Sequence, residues 1–350
     1  MNPRFVLILV VLLAILGGGA LLYHSQERSR RPDNVATLGK PLLKDLQAAD
    51  VAAIRIIEPK STLTILQKEN GWVIAERADF PADVGKVRNF VVQALSLKVG
   101  QSEPIGDNDR SRLNLDESGT QVEFAGADSK PLSKLIVGKK YFKREVDNPE
   151  KARADGRFVA LPAEPKLAYV LSDPLNQATT QTAEWIDRTS FQVEKVKTLE
   201  LRYPDGGGYR IERDGDNAEW RLAGAKAGEK LEVTRANAAS YSLSLLELAD
   251  VAPKGTKLED PVSIQATTLD GLSYSIEVGK LQGDNYPVRF RSSGTPRKDD
   301  KDAERIKKLE ERLPREKLLS NYVLLIPKAK LEDTLKKRGE LLEKKDEAKK

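Results

Sequence analysis

Residues 53–72 read AIRIIEPKSTLTILQKENGW, and residues 199–220 read LELRYPDGGGYRIERDGDNAEW. Ile54 and Ile56 in the first stretch, and Leu199, Leu201 and Tyr203 in the second, alternate as the inward positions of a half-buried strand do. Each stretch then reaches a turn, Asn70-Gly71 in one and Asp214-Gly215-Asp216-Asn217 in the other, made of residues that tolerate the left-handed backbone of hairpins. Trp72 and Trp220 follow these turns and are expected to open the returning strands as core residues.

Further marks recur in the same order on both sides. Val84, Val87, Val91 and Leu95 fall at helical spacing after Trp72, and Ala238, Tyr241, Leu245 and Leu248 do so after Trp220. Val137-Gly138-Lys139 matches Val278-Gly279-Lys280, each expected to close an apolar strand, and Tyr169-Val170-Leu171 matches Tyr322-Val323-Leu324. Ordered recurrence at long period is the signature of duplication. The pattern predicts an α+β fold: two tandem repeats, each an antiparallel-dominated sheet with a covering helix, after one N-terminal transmembrane helix.

The expected layout is an anchor over 1–24, a linker over 25–41, a first repeat over 42–185, a second over 186–327 and a charged helical tail over 328–350. Within the second repeat, 297–317 reads as a charged insertion whose Ile306, Leu309 and Leu313 share a helical stripe, with Glu304 spaced to meet Lys308 and Pro314 ending the helix. In the tail, Leu331, Leu335 and Leu342 are expected to pack on one side of a helix.

The anchor rests on Phe5–Tyr23, an uncharged apolar run. About 19 residues at roughly 1.5 Å each match the ~30 Å hydrocarbon layer. The run is longer than a signal-peptide core and Gly18 to Ala20 is a poor cleavage site, which favours an uncleaved anchor. Arg4 precedes the span while Arg28, Arg30 and Arg31 follow it, a count that taken alone would keep the body in the cytoplasm.

Composition removes whole classes of function. The 58 basic residues nearly balance 53 acidic ones, leaving +5, and no aromatic-rich basic stretch stands out, so nucleic acid is not an expected partner. With no cysteine in the chain, disulfides, thiolate nucleophiles, zinc ribbons and iron–sulfur clusters are excluded. The single histidine, His24, sits at the membrane boundary and reads as an interfacial linker residue rather than as a triad or metal-site member.

Other candidates reduce to structure. A phosphate loop needs glycine five positions before its Gly-Lys and Ser or Thr after the lysine, whereas Ser133 and Lys140 flank Gly138-Lys139, and Tyr274 and Leu281 flank Gly279-Lys280. Asp214, Asp216 and Asn217 offer oxygens for calcium, but Glu219 is too near to close an EF-hand loop, which leaves a hairpin turn. Gly206-Gly207-Gly208 reads as a strand connection. No catalytic, cofactor-binding or metal residue is therefore assigned, and no cofactor is expected.

The anchor, Ile54-Arg55-Ile56, the hairpin ending in Trp72, the helix, Val137-Gly138-Lys139, Tyr169-Val170-Leu171 and the junction Trp185-Ile186-Asp187-Arg188 together resemble the family known as domain of unknown function 4340. The resemblance spans nearly the whole body. It implies a bacterial membrane-anchored protein exposed outside the cytoplasm, in the company of ABC-type transport components related to gliding-motility exporters. The expectation is a non-enzymatic periplasmic interaction protein on the inner membrane, with protein partners in the envelope and binding through sheet edges or the inserted helix. The alternatives are an envelope hydrolase using carboxylates, and a structural spacer.

Overall fold

The computed structural model describes residues 38–145, 148–297 and 303–343. The anchor and its span Phe5–Tyr23, His24, the linker up to residue 37, residues 298–302 of the insertion and residues 344–350 of the tail lie outside the described residues. Among the described residues no helix is long and apolar enough to cross a membrane.

The described chain is α+β, with two antiparallel sheets and few helices. The first sheet uses β1 (Ala53–Glu58), β2 (Ser61–Lys68), β3 (Gly71–Ile74), β4 (Phe80–Pro81), β5 (Gln101–Pro104), β6 (Thr120–Ala125), β7 (Pro131–Glu145), β8 (Asn148–Ala160) and β9 (Leu167–Leu171), in the order β4-β3-β2-β1-β6-β7-β8-β9-β5. Helix α1 (Val84–Ser96) and the short α2 (Asp107–Arg112) lie on either side of β5 in the chain.

The second sheet uses β10 (Val196–Arg202), β11 (Gly208–Glu212), β12 (Arg221–Leu222), β13 (Asp250–Val251), β14 (Val262–Thr268), β15 (Ser273–Val278), β16 (Asn285–Ser293) and β17 (Leu324–Pro327), in the order β12-β11-β10-β14-β15-β16-β17-β13. Helix α3 (Val233–Tyr241) precedes β13, α4 (Ala303–Leu319) separates β16 from β17, and α5 (Lys328–Leu331) follows.

The two orders agree strand for strand once β4 is set aside, and so does the register. Ile54 faces Phe124 as Leu199 faces Ala266. Thr120 faces Val137 as Val262 faces Val278, and Val137 faces Val159 as Val278 faces Val288. On the far side, Val159 with Tyr169 corresponds to Val288 with Leu324, so the counterpart of Tyr169 is Leu324 rather than Tyr322.

The chain forms two compact units, one holding the described residues up to Thr62 and Asn89–Thr179, the other holding Leu63–Arg88 and the described residues from Thr180 onward. In the first unit, Ile54, Ile56, Val122 and Phe124 are fully buried and Phe90 stacks on Phe124 at 6.1 Å between centroids. In the second, Phe191 lies 3.9 Å from Phe290 between centroids and close to Tyr274, and Leu199, Leu201, Ile264 and Ile276 are fully buried. The segment Leu63–Arg88 is fastened inside this unit by polar ties. Arg77 grips Asp250 with two hydrogen bonds of 2.7 and 2.8 Å, Lys86 Nζ donates to the Ile186 carbonyl, and the Asp83 amide donates to the Trp185 carbonyl. Phe80 meets Tyr322 edge to face.

Several local expectations need correction. The inward face of α1 is Val87, Phe90, Val91 and Ala94, while Val84 is exposed and Leu95 only half-buried. In α3 the buried positions are Ala236, Ala239 and Ser240; Tyr241 and Leu245 are exposed, and the helix stops at Tyr241. Alanines set that face because they let the helix lie close, and they weigh little in a periodicity read from large side chains. Helix α4 does not end at Pro314 but runs on to Leu319, with Glu316 and Leu319 buried after the proline. The tail is no second long helix: among its described residues, four residues of α5 and a single 3₁₀ turn at Arg338–Leu341 are all that is helical, and Leu331, Thr334 and Leu341 are buried.

The tail is instead tied down by hydrogen bonds. Tyr209 donates to the Thr334 carbonyl at 2.7 Å and Thr334 Oγ1 to the Ala239 carbonyl at 2.7 Å. Arg338 forks to Glu229, at 2.6 Å for the shorter contact, and Arg235 donates to the Glu340 and Leu342 carbonyls. Leu231 and Leu342 form an isolated bridge.

Candidate functional site

The most distinctive element is the hairpin of β7 and β8. β6 accompanies β7 only as far as Val137, opposite Thr120, and β9 accompanies β8 only as far as Arg157, opposite Leu171. The β7–β8 ladder itself continues from Lys140 opposite Arg157 to Glu145 opposite Asn148. Past Val137 the hairpin is therefore a two-stranded arm with no further strand on either edge among the described residues. At about 3.3 Å per residue it extends on the order of 20 Å. A two-stranded ribbon alone is marginal in water, so its base has to be held.

Two glycines hold it by close packing. A Cβ on Gly138 would come 2.4 Å from the Leu113 carbonyl oxygen, and Lys139 N donates to that same oxygen. Gly156 has φ of +146° and a Cβ there would fall 1.7 Å from the Leu171 carbonyl oxygen, so any side chain would drive the strands apart. Gly138-Lys139 thus does not close a strand; it lies inside β7 at a register shift between Val137 and Lys140. Gly279-Lys280 does follow the end of β15 at Val278.

The arm's base is cationic and partly apolar. Lys139 and Lys140 are exposed and Arg157 is half-buried. Arg157 Nε is buried with no hydrogen-bond acceptor, and burial pushes the guanidinium pKa below its ordinary value. Tyr141 meets Phe158 edge to face at 5.6 Å, and Phe142 beside it is 53% exposed. Over residues 139–157 the sequence has seven Lys or Arg against four Asp or Glu.

The second unit offers clefts of a different kind. One of about 580 Å³ is lined by Glu194, Lys195, Arg213, Asn237, Tyr241 and Arg305, and one of about 430 Å³ shares Glu194 and Arg305 and adds Arg312. Their charges are engaged with each other. Arg305 reaches Asp270 at 2.5 Å, Arg312 reaches Glu194 at 3.0 Å, and Arg213 lies over the Trp220 ring and against Asp216.

In the same unit Glu316, 1% exposed, accepts from Tyr274 Oη at 2.9 Å and the Gln192 amide at 3.1 Å, and lies 3.0 Å from Arg312 Nε. Burial pushes the Glu316 carboxyl up from 4.5 although Arg312, Gln192 and Tyr274 oppose it, and burial likewise pushes the Tyr274 hydroxyl up. A carboxyl raised by burial is often a general acid, but this one faces structural partners and lines neither cleft.

Trp220 is buried, its Nε1 donating to Asn237 at 2.9 Å, and it immediately precedes β12. Trp72 does begin its returning strand, within β3, but is only half-buried. Asp214 and Asp216 turn to Arg221 and Arg213, at 2.8 and 2.9 Å. Among the described residues no group of three metal-ligating side chains is gathered. Gly206-Gly207-Gly208 links β10 to β11. Sequence reasoning misses the arm because KKYFKREVDNPEKARADGR has no apolar alternation from which a strand could be read.

No curated protein and no solved structure matches this chain. A family model does, over residues 72–266, from β3 into β14, more than half of the sequence, and the chain belongs to the family described as domain of unknown function (DUF4340).

Proposed function

We propose that this chain is a non-enzymatic interaction protein of a bacterial inner membrane, anchored by Phe5–Tyr23 with its body in the periplasm, and that it acts as an accessory to an ABC-type transport or envelope assembly. The observation that carries the reading is the β7–β8 arm, a ribbon that no neighbouring strand of its own sheet pairs with past Val137 and Arg157 among the described residues. Other sheet ends offer less to a partner: β12, β13 and β4 are two residues each, and β5 ends in Pro104. The transport setting rests on the family resemblance alone.

We also read the body as an internal duplication. Equal strand order and equal pairing around Ile54 and Leu199, and around Val137 and Val278, support that reading, as unrelated sheets have no reason to share register.

The test is topology followed by capture. A periplasm-only reporter and a cytoplasm-only reporter are fused after Lys350 in parallel, with activity expected only from the first. Photo-crosslinking in native membranes then seeks an envelope protein. Cytoplasmic activity would overturn the proposal and restore the arginine count after the span as the guide to orientation.

A further inference from the structure

We propose that the base of the β7–β8 arm is a docking site for an extended, acidic segment of a partner protein, added along the free strand edge with its carboxylates on Lys140 and Arg157. The inference rests on the interaction-protein reading and names the chemistry of the partner.

Three observations converge. Lys140 and Arg157 stand directly opposite each other in the ladder, which places their side chains on one face, and like charges so placed destabilise a strand pair unless an anion lies between them. Arg157 Nε is buried and without an acceptor, so the site has a desolvated donor still to be satisfied. Beyond Lys139, whose amide is taken by the Leu113 carbonyl, and beyond Gly156, packed on the Leu171 carbonyl, no outer strand of the sheet pairs with the ladder among the described residues, which leaves an edge for a further strand, and exposed Phe142 adds apolar surface beside it.

An anionic bilayer would meet the lysines, but phosphates on a flat surface neither continue a backbone ladder nor reach a buried Nε. A peptide strand does both.

The experiment uses the full chain in nanodiscs of zwitterionic lipid at physiological salt, with three probes: a fluorescent decapeptide alternating Glu and Val, the same peptide with Lys for Glu, and vesicles of phosphatidylglycerol. The acidic peptide is expected to bind and the basic one not. Arg157→Gln should weaken binding at least tenfold. Lys140→Glu, at an exposed position that leaves the fold alone, should do the same. Lys307→Glu, on the solvent side of α4, should change nothing.

The proposal is overturned if the acidic peptide fails to bind, if Lys307→Glu weakens it as much as Lys140→Glu, or if only the vesicles bind in an Arg157-dependent way. A photo-crosslinker at Phe142 in native membranes separates the two levels of inference. Adducts from other surface positions but none from Phe142 would sink the docking site and leave the interaction reading standing; adducts from no position would sink both.

Discussion

The hairpins β7–β8 and β15–β16 occupy the same place in the strand orders of their sheets and share register up to Val137 opposite Val159 and Val278 opposite Val288. Beyond that point they part. The first runs on as the arm, whereas the second closes through Gly279 to Asp284, and the chain leaving β16 makes helix α4 instead. The added mass is handled in opposite ways: α4 buries Leu309, Glu316 and Leu319 and ties its arginines to carboxylates, while the arm has Lys139 and Lys140 exposed at its base and the Arg157 Nε buried with no acceptor. A helix folded back onto its own unit completes that unit. On the reading proposed above, a ribbon extended from the sheet serves something outside it.

If α4 is integral in this sense, its buried carboxylate should carry the largest effect. Glu316→Ala removes the acceptor of Tyr274 Oη and the Gln192 backbone amide and the carboxylate paired with Arg312, so a loss of about 3–5 kcal/mol is expected in denaturant melts. Glu316→Gln keeps an acceptor and should be far milder. It should also change the pH profile. The folded carboxyl titrates above 4.5, so the native state holds its proton longer than the unfolded chain. The contribution is therefore favourable below about 4.5 and is lost as pH rises through the folded pKa. Melts between pH 4 and 8 should show wild type falling relative to Glu316→Gln over that window; parallel profiles would mean the carboxyl is not raised.

The turns at the other end of the same two hairpins sharpen the contrast. Asp270, 6% exposed, follows β14 and takes Arg305 of α4 through both oxygens, and Arg297 N donates to its carbonyl. Asp128, in the turn after β6, pairs with the exposed Lys130 beside it. Asp270→Ala should cost about 2–3 kcal/mol, by taking from a largely buried guanidinium its nearest carboxylate. Asp128→Ala should leave the melting temperature unchanged.

These contrasts also explain how much the sequence can tell. The strands are legible where one face is buried: Ile54 and Ile56, and Leu199 and Leu201, alternate because they line cores, and the Asn70-Gly71 turn sits where backbone geometry demands it. The covering helices are located by their spacing, and Val87 and Val91 of α1 do face inward, but Val84 and Tyr241 are outward while Phe90, Ala94, Ala236 and Ala239 are buried in their place. Pro314 reads as a stop because a proline removes one hydrogen bond, but burial of Glu316 and Leu319 beyond it holds the helix together. The site is the least legible part. A buried donor without an acceptor is a property of its surroundings, and nothing in the letters around Arg157 announces that its Nε has none.

Replacing residues 138–157 by residues 279–286 would give the first hairpin the closure of the second. If the arm is an appendage, the exchanged protein should fold with a change of about 1 kcal/mol or less, because the shared register ends at Val137 and a shorter connection costs little closure entropy. Binding of the acidic decapeptide should vanish. Unfolding of the exchanged chain would show that the arm stabilises its own unit, and the contrast with α4 would collapse.

The smallest effect expected is a gain. Arg157→Leu removes a half-buried guanidinium whose Nε has no acceptor, and it relieves the like charge of Lys140 across the ladder. The leucine stem fits where the arginine stem already packs, so stability should rise by a few tenths to about 1 kcal/mol. A structural arginine would respond in the opposite direction, since its removal would strand a partner. Melts of Arg157→Leu beside Arg157→Lys decide between these, because lysine keeps the charge and should recover none of the gain. A stabilised protein that no longer holds the acidic peptide would show that Arg157 is retained at a cost to the fold for the sake of what docks there.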